Sequence, residues 1–130
     1  MRTHTIILWS SVLLTISGAE ARENNALWRA VCIVESGNTP RAIGDQGRAV
    51  GIAQLWPIMV AECNRLAGRT RWTLADRYSP AKSRQMFDFY MRQFRGKSAE
   101  FKARAWNGGP HGPKNPATKK YWSKIQKNMR

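Results

Sequence analysis

The sequence predicts an α+β domain that is mainly α, with short helices gathered around one small β-hairpin. Three observations carry this reading. Apolar residues recur at helical spacing in separate stretches of the chain. Between Pro40 and Gln54 that period is lost and glycines recur at positions 44, 47 and 51. Prolines then stand where helices start and glycines where they stop, the asymmetry expected of helix ends.

The first residues read as an export signal. Arg2 and His4 make a short polar start, Thr5 to Ile16 is an apolar run, and Ala19-Glu20-Ala21 offers small residues at the two positions a signal peptidase reads. The run falls short of the ~20 apolar residues that a spanning helix needs. Cleavage after Ala21 is therefore expected, with residues 22–130 as one mature domain, secreted or periplasmic and without stable membrane insertion. An uncleaved amphiphilic anchor is the alternative. The removed segment carries one base, Arg2, and one acid, Glu20, so the mature chain would keep the formal +14 of the whole. Such a charge suits polyanions, whether nucleic acid, anionic lipid or anionic wall material, without choosing among them.

The first helix is expected over about Asn25 to Ser36, with Leu27, Ala30, Val31 and Val34 on one face. Trp28, Cys32 and Glu35 form the neighbouring stripe. The helix stops at Ser36-Gly37-Asn38, and Gly44-Asp45-Gln46-Gly47 is the turn of the hairpin that follows. Pro57 opens a second helix carrying Ile58, Met59, Cys63 and Leu66, closed by Gly68. Ser79-Pro80 caps and starts a third, whose Met86, Phe87, Tyr90, Met91 and Phe94 read as core. Ser98 caps a shorter helix that ends at Asn107-Gly108-Gly109-Pro110. Pro110 to Pro116 is a loop with His111 at the surface. A last helix, about Ala117 to Asn128, sets Tyr121, Trp122 and Ile125 against Lys119, Lys120, Lys124 and Lys127.

Two cysteines, Cys32 and Cys63, are too few for a disulfide scaffold and, with His111 the one histidine left after processing, too few for a zinc site. No metal or other cofactor is expected. The thiols form either one bridge or two buried thiols; compartment and even count favour a Cys32–Cys63 bridge between neighbouring helices.

Chemistry concentrates at Glu35. A carboxylate at the C-terminal end of a helix meets the negative end of the dipole, and Trp28, Ile33 and Val34 beside it withhold water, so its pKa should rise from ~4.3. A carboxyl that keeps its proton near neutral pH can serve as a general acid. Asp45 allows a second carboxylate opposite the first, although Asp is also favoured in such a turn for local hydrogen bonding. Trp56 and Trp72 offer aromatic faces for stacking on a ligand or simply for core packing.

Three segments in order sharpen this: Glu35-Ser36 at a helix end, Gly51-Ile52-Ala53-Gln54 closing the hairpin, and Ala105-Trp106-Asn107-Gly108-Gly109. In these the chain resembles the lysozyme-like soluble lytic transglycosylase (SLT) family, whose pattern is Glu-Ser, Gly-Leu-Met-Gln and Ala-Tyr-Asn-Ala-Gly. The resemblance covers roughly Leu27 to Gly109. It implies a lysozyme-like helical domain whose hairpin lines a substrate cleft. It also implies cleavage of the MurNAc–GlcNAc β-1,4 bond of peptidoglycan, leaving 1,6-anhydro-MurNAc ends, by a single acid/base at Glu35. Ser36, Gln54, Trp106 and Asn107 would be the substrate-binding positions around it. Two positions depart from the pattern: Ala53 replaces Met, and Trp106 replaces a Tyr whose hydroxyl in the family reaches the catalytic carboxyl. An indole donates one N–H and accepts nothing.

Glycan strands are thus the expected partner, for a monomer. A hydrolytic lysozyme using Glu35 and Asp45, or a catalytically silent basic wall-binding module, are the alternatives. A nucleic-acid-binding protein would account for the charge but not for the export signal and the ordered motifs, so no nucleic acid is expected.

Overall fold

The computed structural model describes residues 16–130; the apolar run read above as an export signal, Ile16 apart, lies outside them. Among these residues the domain is mainly helical, with five α-helices and one two-stranded antiparallel sheet. In chain order these are α1 (Gly18–Ser36), β1 (Ile43–Gly44), β2 (Ala49–Val50), α2 (Pro57–Ala67), α3 (Pro80–Met91), α4 (Ala99–Gly108) and α5 (Lys119–Asn128), with short 3-10 turns between them.

Helix α1 starts about two turns earlier than its apolar period suggests. The stripe of Leu27, Ala30 and Val31, all fully buried, begins in mid-helix. Upstream of it the backbone is held by polar partners instead: Ser17 caps the helix by accepting from the Glu20 N–H at 3.1 Å, and Glu20 and Asn24 both accept from the buried Lys102 ammonium. At the other end Gly37, at φ 61°, turns left-handed and stops the helix, its N–H donating to Ile33 O at 2.9 Å.

The strands pair Ile43 with Val50 and Gly44 with Ala49. Two contacts fix this hairpin on the body of the domain. Arg77, itself buried, donates from Nη1 to Arg48 O and Leu55 O and from Nε to Leu74 O. Gly51, at φ 88°, lies so close to the chain beneath that a Cβ would sit 1.8 Å from Arg77 O, so glycine is required there.

The core runs through all five helices: Leu27 and Val31 of α1, Val60 and Cys63 of α2, Met86, Phe87 and Tyr90 of α3, Ala103 and Trp106 of α4, Tyr121 and Ile125 of α5. Its centre is aromatic. Phe87 lies 5.2 Å from both Trp28 and Trp106, and Tyr90 lies 5.6 Å from Trp106, in tilted or edge-on contact. Helix α5 closes the domain by packing on α1 and α4.

The expected Cys32–Cys63 bridge is not formed; both cysteines are free and buried. The reason is the seat of α2, which packs on α3 and turns the Cys63 thiol to the Met86 carbonyl at 3.6 Å. Burial pushes both thiols up to about 12, so neither supplies a reactive thiolate at neutral pH.

Candidate active site

An open cleft of about 890 Å³ runs between the hairpin and α2 on one side and the ends of α1 and α4 on the other. Glu35, Asp45, Gln54, Trp56, Trp106 and Asn107 all line it. The fold thus gathers one residue or more from each of the three sequence motifs into a single concave surface.

Glu35 is the penultimate residue of α1, where the Gly37 stop leaves its side chain at the cleft wall. Its pKa is raised to about 7. Burial is the first cause, the negative charge of Asp45 the second, and Lys124 of α5 pulls the other way. The screening differs in one respect from the sequence reading: Ile33 is 40 % exposed and turned outward, while Trp28 and Val34 pack against the core as expected.

Gln54 holds its backbone in the left-handed region, at φ 50°, a conformation that costs energy for a residue with a side chain. The side chain explains how it is held. Its Nε2 donates to Ala42 O at 3.1 Å and Gly51 O at 3.0 Å, clamping the hairpin from within, while the residue still presents surface to the cleft. The amide oxygen lies against Gly44, where a Cβ would come within 2.4 Å of it.

Ser36 sits beside the acid, but its hydroxyl is taken up by backbone. It donates to Ile52 O at 2.7 Å and accepts from Thr39 N–H at 3.0 Å, tying the end of α1 to the second motif. Asn107, exposed at the end of α4, and the left-handed Gly109 after it form the opposite lip. Trp106 is almost wholly buried in the aromatic centre and contributes little surface to the cleft it lines. Asp45 stands exposed at the hairpin tip, at φ 48°.

The two candidate stacking residues separate. Trp72 is 1 % exposed and belongs to the core; Trp56 is 37 % exposed and lines the cleft, with the Arg48 guanidinium 4.9 Å from its ring centroid. Arg48 is steadied in turn by a bond from its Nε to Asp45 O at 3.0 Å.

Tyr121 of α5 was not singled out by sequence, where it counts as one apolar residue in the last helix. Its hydroxyl is buried with no hydrogen-bond partner among the described residues. Burial raises its pKa well above the ordinary range, and the charge of Glu35 raises it further. Where Trp106 lacks the hydroxyl of the family pattern, α5 brings one into the electrostatic reach of Glu35. The signal available in sequence was a lone Tyr on the apolar side of an otherwise lysine-rich helix.

This arrangement is a carboxyl of raised pKa in the wall of a solvent-open cleft. The model of the transglycosylase SLT domain matches residues 15–129. The chain belongs to the SLT domain family. Membership implies transglycosylase-type cleavage with peptidoglycan as substrate. Comparison with curated proteins returns no match. No helix among the described residues of this SLT domain is long and apolar enough to cross a membrane, and none of their His, Cys, Asp and Glu side chains group as a metal site.

Proposed function

We propose that this SLT domain is an exported lytic transglycosylase that cleaves the MurNAc–GlcNAc bond with Glu35 as its single acid/base. The observation that carries the proposal is a carboxyl with a pKa of about 7 in the cleft wall, available as an acid at neutral pH. Glu35 gives its proton to the glycosidic oxygen as the C1–O bond breaks. The positive charge that develops at the sugar is met by the substrate's own acetamido oxygen, since substrate assistance can replace a protein nucleophile. Glu35, now ionised, takes the proton from the muramic 6-hydroxyl, whose oxygen closes on C1. The carboxyl is protonated again, and no water is consumed.

In this reading Gln54 and Asn107 bind the strand from the two lips and Trp56 stacks on a sugar ring, supported by their presence in the cleft lining, while Ser36 holds the end of α1 against the hairpin. The formal +14 of the chain favours an anionic wall, and the N-terminal sequence favours the cell exterior or periplasm.

Asp45 supports a second reading, because it shares the cleft and its charge acts on Glu35. As a base it would activate water and give hydrolysis. Clearing of purified cell walls tests the roles directly. Glu35→Gln keeps the shape and removes the proton donor, so it should abolish clearing while the protein still sediments with walls; Asp45→Asn should clear them. Full activity of Glu35→Gln would refute the proposal, and an inactive wild type that still binds would make the domain a silent wall-binding module.

A further inference from the structure

The N-terminal end of α1 carries an ion pair that bears on where the exported chain is cut. Lys102 of α4 is 0 % exposed, and its ammonium donates to Glu20 Oε1 at 2.8 Å and Asn24 Oδ1 at 2.9 Å. The same Glu20 oxygen accepts from the Gly96 N–H at 2.9 Å, in the corner between α3 and α4. One carboxylate thus joins α1 to α4 and to the chain leading into it. These bonds also hold the Glu20 carboxyl ionised, below its ordinary pKa.

Cleavage after Ala21 would remove that carboxylate. It would leave a buried ammonium with one neutral amide oxygen. Stripping one partner from a buried ion pair is the strongly destabilising case. The family match, which begins at residue 15, includes Glu20 within the domain. A second small-residue site lies two residues upstream, with Ser17 and Ala19 at the positions that Ala19 and Ala21 would otherwise fill.

We propose that export processing cuts between Ala19 and Glu20, so that the mature domain begins with the carboxylate that neutralises Lys102. This rests on the export reading above. The mature chain then loses Arg2 alone among its charged residues, and its formal charge is +14 less one, or +13. The anchored end of α1 belongs to the helix that presents Glu35 at its far end.

The test uses the full chain expressed in a bacterium, followed by N-terminal sequencing and intact mass of the exported protein. A start at Glu20 is expected. Ala19→Leu should block processing and Ala21→Leu should leave it unchanged. An exported protein starting at Arg22 overturns the assigned cut alone, whereas a chain kept in the cytoplasm with Met1 in place overturns the export reading with it. Glu20→Gln in the full chain gives a second readout. It should lower the melting temperature of the exported protein by on the order of 10 °C, with much of the loss recovered by adding Lys102→Met. If Glu20→Gln melts with the wild type, Glu20 is absent from the mature protein or idle in it, and the proposal fails.

Discussion

Glu35→Gln should stabilise the domain, and only at neutral and alkaline pH. The carboxyl moves from an ordinary 4.5 to about 7 in the folded protein, chiefly because burial penalises its charge. The folded state therefore holds a proton that the unfolded chain has released between those two values, so stability falls as pH rises through that window. At ~1.4 kcal/mol for each pH unit, the displacement corresponds to ~3 kcal/mol of destabilisation once Glu35 is ionised in the native fold. Glutamine has nearly the same shape and cannot ionise. The difference in unfolding free energy between the variant and the wild type should be close to zero at pH 4 and grow to ~3 kcal/mol by pH 8.5. Urea titrations at both pH values, followed by tryptophan fluorescence, read it as a displacement of the midpoint. A variant whose advantage is the same at both pH values would refute a buried, neutral Glu35, and with it the origin of its acid strength.

Two further substitutions test the surroundings of that carboxyl. Asp45→Asn removes a negative charge that raises the pKa of Glu35, so the alkaline fall in glycan-cleaving rate should move to lower pH with the maximal rate largely kept; a pH–rate profile that does not move would contradict the coupling. Tyr121→Phe deletes a hydroxyl buried without a partner and should raise stability by ~1 kcal/mol in thermal or urea unfolding, because the desolvation of that group is no longer uncompensated.

The acid, the hairpin and the helix order were legible because each has a local cause. Glu35 falls one residue before the end of an apolar helix, and that end is written in Ser36-Gly37-Asn38. The hairpin shows in its glycines, of which Gly51 is required by the carbonyl of Arg77 beneath it. What escaped depends on contacts between distant parts of the chain. The first turns of α1 are secured by Glu20 and Asn24 on Lys102, more than seventy residues away, and polar anchoring leaves no apolar period to read. Tyr121 comes under the charge of Glu35 because α5 folds back on α1, and Arg77 reaches the hairpin across the domain. The cysteine bridge was inferred from count and compartment, which carry no geometry; the packing of α2 on α3 directs Cys63 elsewhere. Ser36 was expected among the substrate-binding positions, and the bond of its hydroxyl to Ile52 O could not be read because that acceptor belongs to the next motif.

The measurement that bears most directly on single-acid catalysis by Glu35 is the mass of the products released from purified peptidoglycan. With one carboxylate serving as acid and then base, muropeptides should end in 1,6-anhydro-muramic acid, lighter by one water than hydrolysed ends. Reducing ends, together with a loss of turnover in Asp45→Asn comparable to that in Glu35→Gln, would contradict it and assign the cleft to a two-carboxylate hydrolase.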